Sequence, residues 1–290
     1  MRDSVTVGPA PSGRVVTLNR VCALACAVGL LGVGLSGAGP EPEGPTAARV
    51  IRRFSAPEAS QAVAVDSLSF YAIASSAIGK YEKTTGRPDR KWKGDPDGPV
   101  THLNSGVVLR GKLYCAHSNY PHTPMVSSIE VFDTEQMTHL RSMPLPTGLG
   151  SATWVDYGDG GWWVTFAHYD RVGGEAGKGS GATRLVRFTN DWRQDKAWSY
   201  PPAVIARWGG MSSSGGTLDG RHVFYTTGHD APEIYLLKVP RTGHELVLQG
   251  IVPVESEGQG IAVDRIEHVL YSIQRRTKEV LVSILSSSPR

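Results

Sequence analysis

An all-β fold, a single β-propeller of five blades, is what this chain predicts, on three observations. The first is a recurring apolar, β-branched or aromatic run that ends in a small residue and a histidine. It appears as Lys112-Leu-Tyr-Cys-Ala-His-Ser118, Trp162-Trp-Val-Thr-Phe-Ala-His168 and Val223-Phe-Tyr-Thr-Thr-Gly-His229. Two weaker copies, Ser69-Phe-Tyr-Ala-Ile-Ala-Ser75 and Val269-Leu-Tyr-Ser-Ile-Gln274, put serine and glutamine in the histidine's place. The second observation is a string that precedes each copy: Gln61 to Asp66, Asn104 to Leu109, Ser151 to Asp156, Ser214 to Asp219 and Gln259 to Asp264. The pair returns about every 40 to 60 residues, the period of propeller blades. The third is composition: 34 Gly and 19 Pro punctuate short alternating runs, which favours turn-rich sheet over helix.

Taken in order, residues 1–38 read as an export signal. Arg20 precedes an apolar run from Val21 to Leu35, and Ser36-Gly37-Ala38 offers a small-x-small cleavage pattern. Basic flank, apolar core and small residues are the order of a secretory signal; an uncleaved N-terminal anchor is the alternative, although the run is short and Gly-rich for a spanning helix. Residues 39–47 are a Pro/Gly-rich linker, and 48–290 make the propeller domain. Ala48 to Ser55 alternates as a strand without a hairpin partner of its own. The last repeat supplies only three strands, ending at Glu279 to Leu285, and then the chain stops. An open ring would leave two exposed edges, so Val50 to Phe54 is assigned as the outer strand of the final blade. Blade one adds Ile78 to Lys83 and Arg90 to Lys93; blade two, Ser127 to Asp133 and Thr138 to Met143. Blade three adds Thr183 to Phe188 and Lys196 to Ser199; blade four, Glu233 to Val239 and Leu246 to Val254. A sixth blade would need a further repeat, and the gap between Asp191 and Ser214 has room for one extra strand.

Charge and cysteine use exclude several classes. The formal net charge is +3, and Arg2, Arg14 and Arg20 against Asp3 account for most of it. The near-neutral remainder argues against nucleic-acid binding, and a membrane enters only through the N-terminal segment. Cys22 and Cys26 lie in the signal; Cys115, mid-strand, cannot pair internally and reads as a small hydrophobe. The mature protein is expected to be an exported monomer, periplasmic or extracellular.

In a propeller the innermost strand of each blade starts on the face where the second strand ends. One rim therefore collects Gln61, Asn104, Ser151, Ser214 and Gln259 with Ser75, His117, His168, His229 and Gln274. The uncharged first set, with Gln274, would orient a small polar substrate. His117, His168 and His229 would hold a divalent transition metal (Zn, Fe or Mn), since neutral imidazole is a common ligand for these ions; the competing reading is that each imidazole caps its own strand. His102 and Glu257 stand just before the first strands of blades two and five, placed for proton transfer; His102 is alternatively a fourth metal ligand or a loop hydrogen-bonding group, and Glu257 a solvated loop acid. Asp66, Asp156, Asp219 and Asp264 fall at the opposite end, where Asp caps turns. The Gly-rich excursion Tyr169 to Gly181 would be a lid over the rim or an insertion without order.

These strings, together with Ile129-Glu-Val-Phe-Asp-Thr134, resemble the YVTN/NHL/lactonase-like propeller superfamily. That resemblance covers the chain after the signal, and its members include glutaminyl cyclases, SMP-30-type lactonases and propeller cycloisomerases. It implies an exported enzyme acting on a small polar molecule at the axial rim, by metal-assisted lactone hydrolysis or cycloisomerisation. The acidic and Asn metal ligands of the SMP-30-like members are matched here by Asn104 alone, so that site does not carry over. The alternative is a non-catalytic propeller that binds a ligand or protein at the same rim; fold does not decide between them.

Overall fold

The computed structural model describes residues 44–220 and 223–287. The expected signal, 1–38, and most of the linker lie outside the described residues. After β1 (Ala47–Ser55), blade one is β2 (Ala62–Val65), β3 (Ser69–Ala74), β4 (Ala77–Glu82) and β5 (Pro88–Lys93). Blade two is β6 (Leu103–Leu109), β7 (Lys112–Ser118), β8 (Ser127–Asp133) and β9 (Thr138–Pro144). Blade three is β10 (Ser151–Gly158), β11 (Gly161–Ala167), β12 (Arg184–Phe188) and β13 (Gln194–Ser199), followed by the short helix α1 (Pro202–Arg207). Blade four is β14 (Gly215–Leu218), β15 (Val223–Thr227), β16 (Glu233–Lys238) and β17 (Val247–Pro253). Blade five is β18 (Ala262–Asp264), β19 (Val269–Gln274) and β20 (Glu279–Ser286), completed by β1.

Five four-stranded antiparallel sheets thus form a five-bladed propeller, and β2, β6, β10, β14 and β18 touch in a closed inner ring. β1 pairs along β20 from Ala47 opposite Ser286 to Ser55 opposite Glu279, with a bulge between Val50 and Arg52. It is longer than Val50 to Phe54. The gap between Asp191 and Ser214 holds β13 and α1, with no sixth sheet among the described residues. Pro201 and Pro202 open that helix; proline suits a first helical turn because its missing N–H would have no partner there. Six residues are too few to show a helical period, which is why the sequence pattern did not reveal it.

Strand alternation becomes blade packing. On β3, Phe70 and Ala72 face blade five, while Tyr71 and Ile73 face blade two. The same division runs round the ring, so each of the five interfaces between neighbouring blades carries its own apolar cluster. Trp154, fully buried between blades three and four, shows the scale: truncating such a ring to Ala costs about 3–5 kcal/mol. Near the axis space is short. A Cβ added to Gly260 would stand 2.2 Å from Ala62 Cβ and from Ser105 Oγ, so only glycine lets the strands converge there.

At the end of the inner strands away from the rim, the aspartates hold turns as expected. Asp66 Oδ1 accepts from the N–H groups of Leu68 and Ser69, Asp219 Oδ1 from Val223, and Asp264 Oδ1 from Ile266 and Glu267. Two of them also lace blades together. Asp156 Oδ2 accepts from Thr217 Oγ1, the Leu218 N–H and Arg265 Nη2, and so ties blade three to blades four and five. Lys83 of blade one, buried, donates to Asp264 of blade five at 2.5 Å and lies 3.0 Å from Glu267.

Burial pushes Asp264 up, but the Lys83 ammonium and the Glu267 and Ile266 N–H groups outweigh it and lower its pKa. Burial likewise acts to lower Lys83, and Asp264 and Glu267 outweigh it in the upward direction. Lys83→Ala leaves the Asp264 carboxylate buried and uncompensated, a loss of about 3–5 kcal/mol that urea unfolding at pH 7 measures. The pair's stabilisation is present above the unfolded aspartate value of 3.8 and fades as pH falls through the lower folded value. On the alkaline side it is complete below 10.5 and fades only as pH rises through the raised lysine value. Wild type and variant should therefore converge in stability at both extremes of pH.

Candidate functional site

β-Pairing sets the rim as the repeats predict. Ser151 lies opposite Ala167, Leu103 opposite His117, Gly215 opposite Thr227 and Ala62 opposite Ile73. The starts of the inner strands and the ends of the second strands therefore share one face.

Most of the amides and hydroxyls there staple blades together. Asn104 Nδ2 donates to the Ala152 carbonyl of blade three at 3.1 Å, and Ser151 Oγ donates to Ser118 Oγ of blade two at 2.8 Å. Gln259, with φ of 69°, donates from Nε2 to the His229 carbonyl at 3.2 Å. These three are buried, and their side chains are committed to the ring instead of a substrate. Gln61 donates to Ser75 Oγ at 3.1 Å and is half-buried, as is Ser214. Gln274 donates to the Glu255 carbonyl, and its buried Oε1 has no hydrogen-bond partner among the described residues.

The three histidines of the column divide. His117 Nε2 accepts the Thr101 N–H at 3.2 Å, and Nδ1 lies 2.9 Å from Ser128 Oγ, which donates its own hydrogen to Glu130. An Nε2 that accepts an amide leaves Nδ1–H to donate to Ser128, so neither ring nitrogen has a lone pair left for a metal. His168 is held aside: its Nδ1 lies 3.5 Å from Glu175 Oε2, its backbone N–H donates to Thr183 Oγ1, and its ring bonds the Leu149 backbone. Burial, with Lys178 nearby, holds its pKa below the ordinary histidine value. His229 Nδ1 stands 2.7 Å from Asp230 Oδ1, though not aligned for a hydrogen bond. Among the described residues no three His, Cys, Asp or Glu side chains converge as a metal site does. The residues as placed do not fit a three-histidine centre.

His102 and His229 are the imidazoles of the mouth that no side-chain hydrogen bond engages among the described residues, and His229 lies against the Asp230 carboxylate. His102 is half-buried, and its ring lies 5.0 Å from that of Tyr120 between centroids. Burial, with His117 and His229 close enough to repel a second positive charge, lowers its pKa to about 4. His102 is therefore neutral at physiological pH with a lone pair available. Tyr120 in turn meets Tyr169 edge-on at 5.0 Å.

An open groove of about 560 Å³ is lined by Ser60, Gln61, Asp230, Glu257, Arg275, Arg276 and Lys278, and it approaches this cluster through Asp230, the neighbour of His229. Glu257 is at the mouth as its position predicted, but paired with Arg276. Arg275 lies 3.7 Å from Asp230. The sequence pattern marks Tyr169 only as the start of the excursion, and Asp230 and Arg275 not at all, although each directly follows His168, His229 or Gln274. Carrying the column one residue further would have found all three.

The excursion Tyr169 to Gly181 is ordered against the mouth. Asp170 accepts from the Ser180 N–H and Oγ, and Glu175 Oε1 accepts from the Met125 N–H of the facing loop. Gly173 packs on Tyr120 at φ of 78°, where an added Cβ would sit 2.5 Å from the ring. Cys115 is buried and free, and burial pushes its thiol up, as an inert strand cysteine requires.

No protein-family model matches the chain, and no curated protein matches it in sequence. Among solved structures it resembles the glutaminyl cyclase of Myxococcus xanthus, with a TM-score of 0.59 at 11% identity over 85% of this chain and 100% of that one. It also resembles the PQQ-bound aldose sugar dehydrogenase of Streptomyces coelicolor, with a TM-score of 0.50 at 12% identity over 84% of each chain. Likeness at that identity extends to the β-propeller fold.

Gly173→Val should displace Tyr120 and open His102 to water, because the position combines left-handed backbone with ring contact. The His102 pKa then rises from about 4 toward the ordinary histidine value of 6.5, read as a titration of its ring protons by NMR. An unmoved titration in folded variant protein would contradict this account of its environment.

Proposed function

We propose that the chain is an exported propeller enzyme that opens or rearranges a small, oxygen-rich ring, a lactone, at the axial mouth. The reading rests on a neutral His102 without a side-chain hydrogen bond among the described residues, within electrostatic reach of His229, whose neighbour Asp230 lines a polar groove with Arg275, Arg276 and Lys278. In hydrolysis, water adds to the lactone carbonyl as His102 accepts its proton, and the ring C–O bond then breaks. His102 returns the proton to the departing alkoxide, leaving a hydroxy acid whose carboxylate the guanidinium groups hold. In the cycloisomerisation version the guanidinium groups hold the carboxylate of an unsaturated acid; its oxygen adds to the double bond, the π bond breaks, and a proton carried by the His102 imidazolium goes to the neighbouring carbon. Gln61, half-exposed in the groove, orients oxygens. Glu257 becomes a second proton carrier once a substrate carboxylate takes Arg276 from it. His117, His168 and His229 enter no step as metal ligands, and a Zn, Fe or Mn ion has no role in this reading.

A pKa of about 4 makes an idle His102 a weak base. A negative charge beside it, as in the hydroxy-acid product, favours the imidazolium and raises that value, so the proton that His102 takes up is held more firmly when the acid occupies the site. Two fold neighbours are enzymes by name, a cyclase and a dehydrogenase, which supports catalysis on such a scaffold without indicating the substrate. The pairing of Glu257 with Arg276 favours a second reading, a module that binds hydroxy acids without turning them over, because a clamped carboxylate is a poor base.

Acid release from a panel of five- and six-membered lactones, followed with a pH indicator, tests the proposal. Wild-type turnover should fall by about 10²-fold or more in His102→Asn, the range lost with a general acid–base group. Purified protein that binds a hydroxy acid but opens no lactone would establish the binding module instead.

Because an anionic ligand raises the His102 pKa, binding takes up a proton and tightens as pH falls from 7 toward the free-enzyme value of about 4. Calorimetry with gluconate should show this trend, by at most about tenfold per pH unit, and His102→Asn should flatten it. Arg275→Ala should weaken binding at every pH.

A further inference from the structure

Blade two contains a buried polar chain that the reaction as described does not use. Glu130 of β8 lies in the sheet interior with its side chain almost wholly buried. Its carboxylate receives three donors: Ser128 O–H on Oε1 at 2.5 Å, Ser142 O–H on Oε2 at 2.6 Å and His139 Nε2 on Oε2 at 2.7 Å. An ionised carboxylate only accepts, so the hydrogens of the chain all point toward it. Ser128 spends its hydrogen on Glu130 and must accept at Oγ from His117 Nδ1, 2.9 Å away. His117, neutral because burial lowers its pKa against the pull of Glu130, is then left with a lone pair at Nε2. That lone pair takes the Thr101 N–H at 3.2 Å. Thr101 lies in the connection between β5 and β6, immediately before His102.

We infer that Glu130, acting through Ser128 and His117, is a positioning group that fixes the Thr101 backbone and thereby presents His102 at the axial mouth. A network that served stability alone would tolerate either neutral form of His117. This one imposes direction. Were His117 to carry its proton at Nε2, two donors would face each other at Thr101 and the connection would be released. Its consequence for catalysis rests on the reading of His102 as the reactive group, whereas its geometry does not.

Nitrogen-15 NMR of the full chain tests it. In wild type, His117 should show the neutral Nδ1–H form. Ser128→Ala should speed hydrogen exchange at the Thr101 amide by about tenfold, as loss of one hydrogen bond allows, and should shift the His102 ring resonances. Ser128→Thr, which keeps the hydroxyl, should restore both. A wild-type His117 in the Nε2–H form would overturn the relay and needs no variant to be seen. So would a folded Ser128→Ala protein with Thr101 and His102 unchanged. If the relay behaves as expected while His102→Asn leaves lactone opening intact, the relay stands and the proposed role of His102 falls.

Discussion

Each blade of this protein is apolar on both faces, and a sheet of that kind is stable only between two others. Phe70 and Ala72 need blade five as much as Tyr71 and Ile73 need blade two. The requirement is met for every blade at once only if the row of sheets bends into a closed circle. β1 supplies the closure, because the strand that completes blade five is made at the other end of the chain. All else about the molecule follows from that circle: the narrow glycine-lined axis, the shared rim and the polar ties between blades distant in sequence.

Closure also explains the electrostatics of the mouth. Side chains that the chain separates by a hundred residues and more come near enough to repel, as His102 does with His229. Burial is the larger effect on His102, and neighbouring imidazoles add to it in the same direction. At the opposite face the same convergence is used differently. Asp156 and Asp264 meet Arg265 and Lys83, and opposite charges in a confined place make staples of what an isolated strand would use only to cap a turn.

The two faces illustrate why residue type alone misleads about role. Asn104, Ser151 and Gln259 have the chemistry of substrate ligands, but each spends a hydrogen on another blade. His117 has the chemistry of a metal ligand, but an amide on one side and a serine on the other take both of its nitrogens. His102, which occupies no position in the repeated column, has no such side-chain hydrogen bond among the described residues. Availability, more than identity, separates the proposed reactive group from its look-alikes.

Strand identity, the number of blades and the shared rim were legible from the sequence because they arise from local patterns. A period of two within each run and a repeat near fifty residues between runs are properties of consecutive residues. The closing strand could be inferred because a three-strand remainder at one end and an unpaired strand at the other leave a single remedy. Helix α1 was not legible, being shorter than two helical turns. Nor was the fate of individual polar atoms. Asn104 finds the Ala152 carbonyl only because the ring sets blade three beside blade two, and Thr101 finds His117 only through the register of the strands of blade two; neither pairing is written in a local pattern. The chain by itself determined where its histidines would gather; the folded structure decided which of their nitrogens were taken, because hydrogen bonds between strands and between blades exist only once those have met.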